Sequence, residues 1–193
     1  SGSVDVCVCR QGLQFVSLPE AVEEIARVLR PGGRAVFCHL AAYGDEDKTE
    51  AFKIQALRNP ARVNFFKPGD LESVARSSGL TVAETVRYLS VESVDRWIDH
   101  GVLSARERKS IKDAYLASSE GFRRLHKIEE NGGDIFDTML FLIISAEKPK
   151  YTPAKARRGA VRGQPDHRQP PSCLRGRGRI RLPLSLLRSS GGL

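Results

Sequence analysis

The chain has 193 residues, of which 40% are hydrophobic and 28% charged, enough for one domain with a real core. Its net charge of +8 is lopsided: residues 151–193 hold ten Lys or Arg against one acid, and residues 1–150 hold twenty-one against twenty-two, so the body is near neutral. No apolar run approaches the ~18 residues that span a bilayer, and the N-terminus lacks the basic start and apolar centre of a signal peptide.

Val4 to Cys9, VDVCVC, is a short apolar run rich in β-branched residues, and Arg10-Gln11-Gly12 breaks it, which predicts a buried strand. Leu18-Pro19-Glu20 opens a helix, with proline in the first turn and acids at the positive end of the dipole. Ala21, Ile25, Val28 and Leu29 form its apolar stripe. Pro31-Gly32-Gly33 closes it, and Arg34 to Leu40 is again a strand. Strand, helix, tight turn and strand make a βαβ unit, hence a parallel sheet.

Ala42 to Lys67 is polar and mixed, with a short helix expected around Lys48 to Leu57. Pro68-Gly69-Asp70 starts a further helix that ends at Ser78-Gly79, and Leu80 to Leu89 alternates like a strand. From Ser90 to Glu130 apolar residues recur at helical spacing among many charges. Two or three amphipathic helices are expected there, broken at Gly101 and Gly121. Asn131-Gly132-Gly133 ends that block, and Phe136 to Ala146 is the most apolar run of the chain, read as the last strand. From Tyr151 onward five prolines, six glycines and nine arginines without periodicity predict a disordered basic tail. The expected architecture is α/β: a partial Rossmann-like parallel sheet with helices on both faces, residues 90–131 as an inserted helical lid, and 151–193 as the tail.

Three stretches, VDVCVCRQGLQF, AVEEIARVLRPGGRAVF and FFKPGDLESVARSSGLTVAET, resemble the second half of a class I S-adenosylmethionine-dependent methyltransferase of the ubiquinone and menaquinone subgroup. The resemblance covers residues 1–150. It implies methyl transfer to a small-molecule acceptor, with S-adenosylmethionine as cofactor. It also implies that the glycine-rich cofactor loop and the ribose-binding acid lie upstream of Ser1, so that the chain acts as an incomplete enzyme. The backbone around Cys9, Arg10 and Gln11 would then touch the methionine part of the cofactor. Gln14 and Phe15, on the same loop, would face the acceptor, although Phe15 reads equally as a core anchor.

His39 follows the second strand and is the candidate general base, since its ordinary pKa lets it take a proton near neutrality. A structural histidine capping the strand is the competing reading, because methyl transfer can proceed by alignment alone. Phe65 and Phe66 precede the helix at Asp70 and could close over an acceptor or simply pack in the core. Cys7, Cys9 and Cys38 with His39 invite a metal, but they lack the C-x-x-C turns of a zinc site, so no metal is expected. Cysteines inside apolar runs rather than in a disulfide framework point to a reducing, cytoplasmic setting. The helical block reads as a lid or as a homodimer surface. A function of another class, nucleic-acid binding, would rest on the basic tail and its phosphate contacts, although the tail lacks aromatics for base stacking.

Overall fold

The computed structural model describes residues 2–150. The expected tail, with Cys173, lies outside the described residues. The strands are β1 (Val4–Arg10), β2 (Leu29–Ala41), β3 (Thr81–Ser93), β4 (Glu129–Asn131) and β5 (Asp134–Glu147). The helices are α1 (Leu18–Val28), α2 (Asp45–Arg58), α3 (Asp70–Ser77), α4 (Val94–Ile98), α5 (Ala105–Leu116) and α6 (Glu120–Leu125), with a 3-10 turn at Leu13–Phe15.

The sheet has the order β1-β2-β5-β3, with β4 pairing β5. β1 and β2 are parallel immediate neighbours, Val8 opposite Val36 and Arg10 opposite Cys38. The expectation of a parallel sheet ends there. β5 runs antiparallel to β2 and to β3, because a two-residue turn at Gly132-Gly133 hairpins it back from β4. Both glycines have positive φ, 61° and 86°, as a type I′ turn requires. β3 extends to Ser93, so the helical block begins at Val94 rather than Ser90. α2 is longer than expected, and Gly121 lies inside α6 rather than breaking it.

The helix ends earlier than expected, at Val28, so that Leu29 opens β2 and Pro31-Gly32-Gly33 forms an irregularity within that strand rather than the end of the helix. Leu29 pairs with Val4, the chain makes an excursion through Arg30 to Gly33, and pairing resumes at Arg34 with Val6. Gly32 takes φ +78°, and a Cβ on Gly33 would lie 2.9 Å from the carbonyl oxygens of Arg30 and Val4. Only glycine lets backbone meet backbone this closely. Gly32 N donates to Lys148 O, and Lys148 Nζ donates to Ala26 O and Leu29 O at 2.7 Å, satisfying carbonyls at the end of α1.

Alternation along the strands divides the core. Ala35, Phe37, Leu142 and Ile144 pack under α1 and α3 through Val22, Ala26, Leu71 and Ala75. Leu40 and Met139, on the opposite face, pack with α2 and the helical block through Ile54, Ile98, Ile111 and Tyr115. Helices therefore lie on both faces, but on the second they cover only one end of the strands. At the other end Val6, Val8, Val86 and Tyr88 stay exposed, Val8 at 67%.

Candidate functional site

β1 ends at Arg10, and Gln11 turns the chain with φ 55°, its N–H donating to Cys38 O at 3.0 Å. This brings Leu13–Phe15 across the carboxyl ends of β1 and β2, where ligands bind in open α/β sheets. A cavity of about 370 Å³ opens there. Arg10, Gln11, Gln14 and Phe15 form one wall, and Gln55, Arg58, Arg62 and Trp97 the other, over a floor of Leu40, Met139 and Phe141.

Arg62 is only 7% exposed. Its Nη2 donates to Gln55 Oε1 at 3.2 Å, its guanidinium lies 5.7 Å from the Phe15 ring, and its buried Nε has no partner among the described residues. Burial, with the neighbouring Arg58 charge, draws its pKa down to about 10. The Arg58 guanidinium sits 4.6 Å over the Trp97 ring while its Nε donates to Trp97 O, and burial lowers its pKa as well.

Of the expected site residues, Arg10, Gln11, Gln14 and Phe15 thus share one cavity. Cys9 points away from it, into the core under α1 beside Cys7. Cys38 pairs with Arg10 and so lies on the opposite face from Cys7 and Cys9. All three thiols are free, and no cluster of three or more His, Cys, Asp or Glu able to hold a metal occurs among the described residues. Phe65 and Phe66 line a separate cleft of about 650 Å³ with Leu18, Lys48, Phe52 and Val74.

His39 is in neither cavity. It is fully buried, its Nδ1 is 3.0 Å from Gln14 Oε1, and its ring meets Phe66 edge-on at 5.3 Å. Its Nε2 is buried without a partner. Burial, reinforced by Arg62, depresses its pKa to about 4, so it is neutral near pH 7. Gln14 in turn donates to Gln11 Oε1 at 3.1 Å, and its carbonyl accepts from Val63 N and Asn64 N. His39 therefore fixes the loop that walls the cavity.

A second buried polar cluster was not anticipated. His126, just past α6, stands between two carboxylates: Nδ1 is 2.9 Å from Asp137 Oδ1 and Nε2 is 3.0 Å from Asp47 Oδ2. Tyr115 donates to Asp137 at 2.9 Å, Tyr43 N and Gly44 N donate to Asp47, and Phe122 stacks on the imidazole at 3.9 Å. Burial opposes the charge on His126, but the two carboxylates outweigh it and raise its pKa to about 9. The cluster ties α2, α5 and α6 to β5. The available signal was Asp137, a carboxylate inside the most apolar run of the chain.

Residues 1–37 match the family model of a methyltransferase domain. No curated protein matches. Among solved structures, the YcgJ protein of Bacillus subtilis superposes with a TM-score of 0.70 at 22% identity, covering 77% of this chain and 65% of that one. A Bacillus halodurans C-125 protein, provisionally assigned as a methyltransferase, gives 0.69 at 17% identity with the same coverages. The chain thus spans about two thirds of the length of each. The chain shares the fold of these two proteins, and the stretch matched by the methyltransferase-domain model runs from β1 through α1 into β2.

Proposed function

We propose that this domain takes part in S-adenosylmethionine-dependent methyl transfer to a small-molecule acceptor. The observation that carries the reading is the cavity at the carboxyl ends of β1 and β2, on a methyltransferase fold, walled by Arg10, Gln11, Gln14 and Phe15. Arg10 and Gln11 supply the backbone against which the methionine part of the cofactor would rest, and the left-handed Gln11 turns that backbone across the strand ends. When bound, the cofactor supplies an electrophilic methyl group; the residues of this chain orient the acceptor and exclude water. His39 serves as a positioning residue. Its buried, neutral ring holds Gln14, which holds Gln11. Residues 94–131 act as a lid, with Trp97 reaching the cavity wall.

The free thiols of Cys7, Cys9 and Cys38 support a reducing, cytoplasmic setting. No helix among the described residues is long and apolar enough to cross a membrane. The nucleic-acid reading rests on residues outside the described part, and no comparison supports it.

Calorimetric titration of S-adenosylmethionine into this chain, and into a version extended by its upstream sequence, tests the proposal. Heat of binding in the extended protein, reduced by substitutions at Gln11, is expected. Binding to neither protein overturns it.

A further inference from the structure

Arg58 and Arg62 face the cavity without a counter-charge. Neither has a carboxylate within ion-pair distance among the described residues, although eleven other pairs form. The one acid lining this cavity, Glu92, accepts from Ser90 Oγ at 2.5 Å. A buried guanidinium with an unbonded Nε is costly, because its lost hydration is not replaced. An apolar ligand would leave that cost in place. An anion would offset it without reaching the closed Nε, by charge-assisted bonds to the part of the guanidinium that lines the cavity, a planar fork suited to carboxylate or phosphate.

We infer that the cavity binds the acceptor through an anionic head group, carboxylate or phosphate, between Arg58 and Arg62, with the ligand's apolar body against Phe15, Trp97 and Phe141. Calling this ligand the acceptor rests on the methyltransferase reading; anion binding itself does not. Three surfaces meet at the site: cationic from the end of α2 and the loop after it, aromatic from α4, and apolar from β5. The combination selects amphipathic anions over neutral molecules of the same shape. The two arginines also repel each other, so a dianionic head would gain more than a monoanion.

Trp97 is the only tryptophan of the chain and lies on the cavity wall, so its emission reports occupancy directly. The 193-residue chain is titrated, without cofactor, with phenylacetate and phenyl phosphate, and with phenylacetamide as a neutral isostere and phenethylamine as a cation. Saturable quenching or shift is expected with the anions, at least about tenfold tighter than with the amide and weakened by salt. A tighter phenyl phosphate complex identifies phosphate as the head group, a tighter phenylacetate complex carboxylate. Arg62→Gln, with its fold checked by circular dichroism, is expected to bring the anions down to the level of the amide. If the amide or the amine binds the wild-type chain as tightly as the better of the two anions, or neither anion gives a saturable response, the inference fails. That comparison needs no variant to fold. Anion binding together with failed cofactor binding in the extended protein would discard the methyltransferase reading and keep the anion site.

Discussion

The two buried histidines, one beneath the cavity wall and one beneath the helical block, are driven in opposite directions. His39 meets an amide, an aromatic edge and the charge of Arg62, and stays neutral far into acid. His126 meets two carboxylates and stays charged well above neutrality. Burial is nearly the same in both, 0% and 4% exposed. The difference lies in which partners burial forces on each ring. One region is a neutral scaffold for a loop that faces ligand; the other is an ionic tie between layers.

The comparison breaks most forcefully at Asp137. Asp137→Ala removes one of the two carboxylates from His126 and the acceptor from Tyr115, and is expected to cost about 3–5 kcal/mol in urea unfolding. An effect below 1 kcal/mol, on the order of a surface pair, would show that the tie carries little.

The pH dependence sharpens it. The folded pKa of His126 lies above its unfolded value, so its contribution is complete below pH ~6.5 and is lost as pH climbs towards 9. The folded pKa of His39 lies below its unfolded value. Its contribution is complete above pH ~6.5 and is lost as pH falls towards 4, when the unfolded chain takes the proton that the folded chain refuses. Each arm is expected to move stability by roughly 3 kcal/mol, with Asp47, whose hydrogen bonds and His126 hold its pKa down despite burial, steepening the acid limb. NMR titration of the ring protons is expected to give two midpoints, near 4 and near 9. Coincident midpoints near 6.5 would abolish the distinction.

A smaller effect is expected at Gly33, on the strand that carries His39. Gly33→Ala puts a methyl 2.9 Å from two carbonyl oxygens and should cost about 1–3 kcal/mol by parting β1 from β2, read as a lowered denaturation midpoint. The smallest belongs to His39 itself. With its Nε2 already unpaired, His39→Leu should change stability by less than about 1.5 kcal/mol while loosening Gln14, seen as faster amide exchange at Val63 and Asn64.

The part of the site that was legible in the sequence is the part built by neighbours along the chain. Strand, proline-opened helix, Gly-Gly corner and strand each have local causes, and Val4–Cys9 and Arg34–Leu40 stand side by side as their patterns require. Strand direction has no such signature: the apolar run at 136–146 reads the same whichever way it points, and the hairpin at Gly132-Gly133 reverses it. His126 was invisible for another reason. Its partners lie 11 and 79 residues away, and a lone histidine after a helix resembles any exposed one until the fold closes. Arg58 and Arg62 carry no local signal either, since their isolation from acids among the described residues is a property of the fold and not of their spacing.

The position of β5 bears on how the protein comes into being. The strand inserted between β2 and β3 is the last of the described strands to leave the ribosome, so both of its future neighbours must wait with open edges until it emerges. Until then the nascent chain has no way to close its central layer, so the sheet completes from its middle and only after every other described strand is already outside.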